Sequence, residues 1–253
     1  MFKLNTVTRG NPGHPPLIFL HGFLGAKEDW ASMFPFFESR FFCIAFDLPG
    51  HARTAYSDDI LSTIKTAIDG ITSTKPLLIG YSMGGRIALQ LQESASALIA
   101  LSAHPGLASR EEKETRKRID QEWADKLLHL PFDTFLAEWY TQPIFHSFLH
   151  NPTFLKTLIK RRKRQNPKHL ALVLKQMSLV HQKRIKCFLC PTLFMYGEED
   201  WKYRQLYCKL PQTVAVRSVK DAAHAVHLEN PTHCAEQILT WLDLDKENTD
   251  ANT

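Results

Sequence analysis

The sequence has no run of about 18 uncharged apolar residues, and so it predicts no helix that could cross a membrane. Its N-terminus lacks the basic, apolar and small residues that follow one another in a secretory signal peptide. No internal repeat is present, which argues against a solenoid or propeller. These absences together predict a soluble, cytoplasmic protein.

Cysteine is scarce, with five residues, an odd number that does not suit a disulfide framework. Cys187 and Cys190 spell C-x-x-C, but no second pair is present to complete a zinc site. We expect reduced thiols, with Cys43 buried in a strand and Cys187 and Cys190 in the core beside the start of another. No metal site or redox pair is expected at these cysteines.

Charged residues are distributed unevenly along the chain. The chain of 253 residues carries a net charge of +5, and 44% of its residues are apolar, enough for a sizeable core. Residues 104–184 hold 16 Lys and Arg against 8 Asp and Glu, while the rest of the chain is net negative. The middle of the chain therefore favours an anionic partner, which on charge alone is a nucleic acid, a membrane surface or a small polyanion.

Apolar runs and turn residues divide the chain into two kinds of segment. Strands are predicted near residues 17–20, 41–46, 77–79, 97–102, 191–196 and 214–219, with a further short strand within 2–8. Turns or helices follow these strands, which predicts an α/β fold with a mostly parallel sheet. Residues 104–184 show helical patterns only, and we interpret them as a cap inserted into a core of residues 1–103 and 185–242. The polar residues 243–253 are expected to form a flexible tail.

A G-x-S-x-G segment, Gly80-Tyr81-Ser82-Met83-Gly84, lies between an apolar strand and a helical pattern. A serine on such a tight strand-to-helix turn is lifted clear of the sheet, and the glycines leave room for it. The segment therefore predicts a nucleophile elbow centred on Ser82. The simpler alternative is an ordinary glycine-rich turn.

A serine hydroxyl needs a histidine to take its proton and a carboxylate to hold that histidine. Asp200 follows the strand predicted at 191–196, and His224 follows the one at 214–219. Their order after Ser82 suits a triad at the carboxyl ends of the strands. Taken singly, Asp200 could be a loop cap and His224 a surface histidine. Two backbone N–H groups, those of Met83 and Phe23, are predicted to form an oxyanion hole.

Helical phase places some arginines on apolar faces of the cap helices. In the segment 110–130, Arg116 falls on the face of Ile119 and Trp123, while Arg118 falls nearly opposite. In the segment 154–164, Arg162 falls on the apolar face and Arg164 points away. A buried guanidinium needs an anion, which is either a substrate carboxylate or an internal partner.

Several motifs together resemble one family of the α/β-hydrolase superfamily, the 2-succinyl-6-hydroxy-2,4-cyclohexadiene-1-carboxylate synthases of menaquinone biosynthesis. The elbow and the histidine loop are shared by many hydrolases, whereas the cap motif and the arginine four residues after the serine are more specific. The motifs are His21-Gly22-Phe23-Leu24-Gly25, Gly80 to Arg86, His104-Pro105-Gly106-Leu107, Trp139-Tyr140-x-Gln142-Pro143-x-Phe145, Gly197-Glu198-x-Asp200-x-Lys202 and His224-x-x-His227-x-Glu229-Asn230-Pro231.

The resemblance implies a lyase with an inserted cap and no cofactor. His224-activated Ser82 would abstract a ring proton from 2-succinyl-5-enolpyruvyl-6-hydroxy-3-cyclohexene-1-carboxylate, and pyruvate would leave. The implied partner is this small polycarboxylate, with no nucleic acid or membrane, and the oligomeric state stays open.

Five side chains are predicted to contact this substrate. Guanidinium groups bind carboxylates at two points, so the arginines are candidate carboxylate clamps. Tyr81 lies beside the nucleophile, and Trp139 either lines the pocket or packs the cap onto the sheet. The five are Tyr81, Arg86, Arg116, Trp139 and Arg162.

Three positions depart from the family pattern. Ala223 and Ala225 flank His224 where the family has glycine and asparagine, and Ala52 stands where glycine is usual. The first two flank the catalytic histidine, where a change of residue bears on the tilt of the His224 loop and on the catalytic rate more than on the fold.

Two other functions fit the same residues. An esterase, thioesterase or carbon–carbon bond hydrolase would show the same triad, although neutral acyl substrates need no inward arginines. A non-catalytic binding scaffold would not need a complete triad. A nucleic-acid binder is disfavoured, because the basic residues lack interleaved aromatic side chains.

Overall fold

The structure is a computed structural model that describes residues 3–250, with the side chains of the last helix described up to residue 244. Its strands form one seven-stranded sheet in the order β1-β3-β2-β4-β5-β6-β7. The strands are β1 (Thr6–Arg9), β2 (Pro16–Leu20), β3 (Phe42–Phe46), β4 (Leu77–Tyr81), β5 (Ala97–Leu101), β6 (Thr192–Gly197) and β7 (Ala215–Val219).

The sheet is parallel except at one edge, where β1 runs antiparallel to β3. Parallel strands need crossover connections, and helices supply them on both faces of the sheet. The carboxyl ends of β2, β4, β6 and β7 therefore meet at one edge of the sheet. The prediction of an α/β fold with a mostly parallel central sheet is confirmed.

Alternating side chains of each strand pack on opposite faces of the sheet. Ile18 and Leu20 of β2 belong to the core beneath α3, while Leu17 and Phe19 of the same strand pack with Trp30 on the other face. Because both faces are buried, the central strands are apolar almost throughout, which is why they were easy to recognise in the sequence.

The helices between β5 and β6 form a separate group, in which the described residues contain no strand. This group has its own apolar cluster, which includes Phe135, Leu136, Leu158 and Leu170. The α-helices of the chain are α1 (Phe34–Phe37), α2 (Ile60–Asp69), α3 (Met83–Gln90), α4 (Arg110–His129), α5 (Phe132–Trp139), α6 (His146–Leu149), α7 (Pro152–Arg162), α8 (Pro167–Gln176), α9 (Trp201–Tyr207), α10 (Val226–Glu229) and α11 (Pro231–Asp250).

Some local expectations were wrong. Helix α11 continues to Asp250, through most of the segment expected to be a flexible tail, and residues 251–253 lie outside the described residues. Ile119, expected on the apolar face of α4, is exposed. Cys187 is also exposed rather than in the core, whereas Cys43 is buried in β3 as expected. Within residues 3–250, no helix is long and apolar enough to cross a membrane.

Candidate active site

Ser82 occupies the turn between the end of β4 and the start of α3. Its φ of 50° and ψ of −108° are strained for a residue with a side chain, as expected for a nucleophile elbow. Gly84 makes the turn possible, because a Cβ atom there would run into the carbonyl oxygens of Leu20 and His21. The local sequence thus supplies both the turn and the room for it.

The structure brings Ser82, His224 and Asp200 together. Nε2 of His224 lies 3.4 Å from Oγ of Ser82, and its Nδ1 lies 3.0 Å from Oδ2 of Asp200. His224 and Asp200 are buried, whereas Ser82 is only half-buried, so that part of it is open to solvent. This arrangement can accept a proton at the serine and pass it to the imidazole, which the carboxylate orients.

Asp200 combines the two roles that the sequence presented as alternatives. Its Oδ1 accepts a hydrogen bond from the Tyr203 N–H and so caps the start of α9, while its Oδ2 faces His224. This helix-capping hydrogen bond fixes the carboxylate, because rotating the carboxylate toward solvent would leave the Tyr203 N–H without its acceptor. Asp200 therefore holds the histidine from a rigid position.

The loop that carries His224 is held by a carboxylate that the sequence analysis did not single out. Oε2 of Glu229 accepts a hydrogen bond from the Ala223 N–H at 2.8 Å, and Oε1 accepts one from the Ala225 N–H at 2.7 Å. Both hydrogen bonds are charge-assisted, and they fix the backbone on either side of His224. The two alanines therefore leave the imidazole within reach of its partners.

We predict that Glu229→Gln lowers kcat by about tenfold with little change in KM, because one of the two amides loses its acceptor and His224 shifts. Glu229→Ala should lower kcat further. Steady-state kinetics with Glu236→Gln, an exposed glutamate of α11, as the matched control would check this. A kcat for Glu229→Gln equal to that of the control would show that the carboxylate does not position His224.

The loop after β2 forms a tight turn closed by the Gly25 N–H, which donates to the Gly22 carbonyl at 2.9 Å. Leu24 in this turn has a φ of 63°, a left-handed conformation. A Cβ atom on Gly22 would lie 3.5 Å from that of Ser82, so the turn sits directly beside the elbow. Phe23 thus lies in the turn next to the nucleophile, where its N–H was predicted to act with that of Met83, at the start of α3.

His21 supports this turn in a fixed tautomer. Its Nε2 accepts a hydrogen bond from the Leu48 N–H at 3.0 Å, so Nδ1 carries the proton and donates it to the Gly22 carbonyl at 2.8 Å. Burial lowers the pKa of His21, which keeps the ring neutral. His21 is therefore a structural support of the turn rather than a reacting group.

Arg86, Arg116 and Lys202 form a group of cations close to the triad. Burial, and after it the charge of Arg116, lowers the pKa of Arg86 to about 10. Loss of hydration and again Arg116 lower the pKa of Lys202, and burial with Lys202 lowers the pKa of His104 to about 4. Burial is the largest cause of each shift, and repulsion by neighbouring cations adds to it, which suits a site that receives an anion.

Two of these cations are held in place by the protein without being neutralised completely. Nη1 of Arg86 donates to the Met177 carbonyl at 2.8 Å, and Nε of Arg116 donates to Asp120 at 2.8 Å. Asp120 is buried, and its Oδ2 also accepts a hydrogen bond from the Ser178 hydroxyl at 2.6 Å. Each arginine is thus anchored from one side of its guanidinium group.

Aromatic side chains from the segment between β5 and β6 reach the site. The ring of Trp139 lies 5.1 Å from that of Phe23, and the ring of Phe145 lies 6.1 Å from that of His224. Tyr81 packs its ring 5.5 Å from His224. Apolar walls of this kind exclude water and strengthen the electrostatic effects inside.

Arg162 has the internal partner that the sequence left open as an alternative. Its Nη1 and Nη2 donate to the two oxygens of Asp29 at 3.1 and 2.6 Å, and Nε lies 3.4 Å from the Tyr140 hydroxyl. Both side chains of the ion pair are buried. The structure therefore groups Arg86 and Arg116 near the triad but places Arg162 in an ion pair that joins α7 to the segment after β2.

Across the part of the chain that the structure describes, no group of three or more His, Cys, Asp or Glu side chains is arranged to hold a metal ion. Cys187 and Cys190 therefore have no set of ligands around them.

Comparisons with known proteins agree with this geometry. A family model described as the alpha/beta hydrolase fold matches residues 15–231. The 2-succinyl-6-hydroxy-2,4-cyclohexadiene-1-carboxylate synthase of Klebsiella pneumoniae subsp. pneumoniae is 33% identical, over 92% of this chain and 97% of that protein. The synthase of the same name from Escherichia coli strain K12 is 32% identical, over 88% and 91%.

Solved structures share the architecture. A structure of MenH from S. aureus has a TM-score of 0.88 and 26% identity, covering 97% of this chain and all 100% of that one. An enol-lactonase from Burkholderia xenovorans LB400 has a TM-score of 0.77 at 15% identity, covering 95% and 96%, and shows the likeness of fold alone.

Proposed function

This chain belongs to the α/β-hydrolase family and, within it, to the 2-succinyl-6-hydroxy-2,4-cyclohexadiene-1-carboxylate synthases, and from this premise we propose how its residues carry out the reaction. The activity is that of a lyase of menaquinone biosynthesis rather than a hydrolase. What supports the assignment of residues is a serine–histidine–carboxylate triad beside a group of mutually repelling cations.

The change between substrate and product fixes what the site must do. The substrate is a 3-cyclohexene with the enolpyruvyl group at ring carbon 5, and the product is a 2,4-cyclohexadiene. The double bonds can move in this way only if ring carbon 2 loses a proton and ring carbon 5 loses the enolpyruvyl oxygen. The electron pair of the broken C–H bond moves into the ring, and the released enolpyruvate takes a proton to become pyruvate.

The triad is suited to the proton transfer. Ring carbon 2 carries the succinyl carbonyl, so removal of its proton places negative charge on that carbonyl oxygen. Ser82, with His224 at 3.4 Å, acts as the base, and Asp200 holds the resulting imidazolium. The N–H groups of Phe23 and Met83 bind the enolate oxygen.

The cations bind the carboxylates of the substrate. Arg86 and Arg116 each keep guanidinium nitrogens away from their anchoring partners, and Lys202 is near enough to Arg116 for the two charges to interact, although part of its side chain reaches solvent. An anion placed among them removes their mutual repulsion and gains charge-assisted hydrogen bonds. Tyr81 and Trp139 form apolar walls beside the ring, and the helices of residues 104–184 act as the cap over it. The cytoplasmic location stays a prediction.

A comparison of two substrates tests this function. The purified protein should release pyruvate from 2-succinyl-5-enolpyruvyl-6-hydroxy-3-cyclohexene-1-carboxylate well above the spontaneous rate, with little turnover of p-nitrophenyl esters. Rapid ester hydrolysis without pyruvate release would instead support an esterase. Neither activity, in a folded protein, would support a binding scaffold.

The lowered pKa of Lys202 predicts a pH effect on substrate binding. Lysine loses its positive charge as pH rises, so KM should increase at a pH below the usual value for lysine of about 10.4. Arg116 favours this loss of charge, whereas Asp200 opposes it. In Lys202→Arg, which keeps its charge, the increase in KM should move to higher pH. An unchanged pH profile of KM would show that Lys202 does not bind the substrate.

A further inference from the structure

Asp29 is a buried carboxylate that lies just after the turn carrying the oxyanion donor. It belongs to a short 3₁₀ helix, Lys27–Trp30, and its Oδ2 also accepts a hydrogen bond from the Ala26 N–H at 3.2 Å. Burial alone would raise the pKa of Asp29, but the charge and hydrogen bonds of Arg162 lower it below its usual value. Asp29 is therefore an anion that depends on a cation from the cap.

That cation, Arg162, is the last residue of α7 and reaches across to the core. Its side chain is 5% exposed and that of Asp29 is 4% exposed, so the pair is buried. Asp29 has a second, longer contact with the neighbouring Arg161, whose Nη1 lies 3.7 Å from Oδ1 of Asp29. Each of the three guanidinium nitrogens of Arg162 has a protein partner. A substrate carboxylate would have to compete with Asp29 for this group.

A second buried side chain from the cap forms hydrogen bonds with the same turn. Nε2 of Gln165 donates to the carbonyl oxygen of Leu24 and, at 3.3 Å, to that of Gly25. Gln165 follows Arg162 by three residues and is 7% exposed. The left-handed backbone of Leu24 is unfavourable for a leucine, so contacts from outside the turn are needed to hold it.

We propose that Arg162 and Gln165 are positioning residues, which act through Asp29 and through the carbonyls of Leu24 and Gly25 to hold the oxyanion turn against Ser82. This replaces the prediction that Arg162 binds a substrate carboxylate, and it rests on the proposed function of the turn. Docking of the cap on the core thus completes the oxyanion hole. The enolate is stabilised only when the cap is seated.

Kinetics of single and double variants separate this role from carboxylate binding. Arg162→Met, Asp29→Asn and the double variant should each lower kcat about 10- to 100-fold, with KM within about twofold, since the turn is displaced while the cations near the triad stay in place. The double variant should be no slower than the slower single variant, because both substitutions break one contact. Arg164→Ala, exposed just beyond the same helix, is the matched control.

A KM that rises in Arg162→Met but not in Asp29→Asn, with effects that add in the double variant, would overturn the proposal. Gln165→Leu leaves no buried charge and guards against variants that fail to fold. It should also lower kcat without raising KM. An unchanged kcat in a folded Gln165→Leu would count against the role of Gln165.

Hydrogen–deuterium exchange of the peptide covering residues 20–31 gives a readout that needs no substrate. Exchange should be faster in Arg162→Met and Gln165→Leu than in Arg164→Ala and the wild type. Equal exchange in all four would overturn the proposal even if pyruvate is released. Faster exchange in a protein that releases no pyruvate would refute the proposed reaction while leaving the positioning role standing.

Discussion

Ser82→Ala is expected to reduce the rate of pyruvate release by about 100- to 10,000-fold, the usual contribution of a general base. The alanine removes the oxygen that contacts Nε2 of His224 at 3.4 Å and, in our account, the substrate proton. KM should change little, because the cations that bind the carboxylates are untouched. The rate is measured by coupling pyruvate to its reduction, under saturating substrate.

The matched control is Ser96→Ala, an exposed serine before β5. It should match the wild type in rate, and both variants should unfold at the same temperature as the wild type. Turnover by Ser82→Ala close to that of the control would exclude Ser82 as the base.

Arg116→Gln is expected to raise KM about 10- to 100-fold, because a hydrogen bond to a charged group is worth about 1.5–3 kcal/mol. The change also leaves Asp120 without its cation at a buried position, which adds repulsion toward an anionic substrate. Steady-state kinetics would show the effect mainly in KM, while kcat falls less.

Two further variants isolate the contact with substrate. Arg118→Gln, on the exposed face of α4, should leave KM unchanged. In Arg116→Gln with Asp120→Asn, the buried charge is removed, yet KM should stay high because the substrate carboxylate still lacks its partner. Restoration of KM in the double variant would mean that Arg116 serves only to neutralise Asp120.

The sheet and the elbow could be predicted because their signals are local. Central strands buried on both faces are apolar throughout, and the elbow needs Gly80, Ser82 and Gly84 at fixed spacing. The positions of Asp200 and His224 followed from chain order, since parallel strands bring their carboxyl ends to one edge. The structure places these side chains within reach of each other.

The partners of buried charged groups could not be predicted, because they lie far away in sequence. Helical phase correctly predicted that the Arg162 side chain is buried. Nothing in the sequence around Asp29, however, marks that residue as its partner. Ile119 was expected to be buried by the same reasoning, yet its side chain is exposed. Phase shows which side of a helix is apolar and not how far the neighbouring element extends along it.

The three departures from the family pattern now have different meanings. Ala52 adopts a φ of 46°, so the family's glycine is explained by a left-handed backbone that alanine adopts at some energetic cost. Ala223 and Ala225 offer their amides to Glu229, and this needs no particular side chain at either position. The His224 loop is therefore held in place by a carboxylate within the same motif.

The most direct test of base-catalysed elimination uses substrate with deuterium at ring carbon 2, followed through a single turnover with enzyme in excess. We predict that pyruvate forms more slowly than from the unlabelled substrate, and that the cyclohexadiene product contains no deuterium at this carbon. Pyruvate release with the deuterium retained, or an acyl adduct on Ser82, would contradict the account.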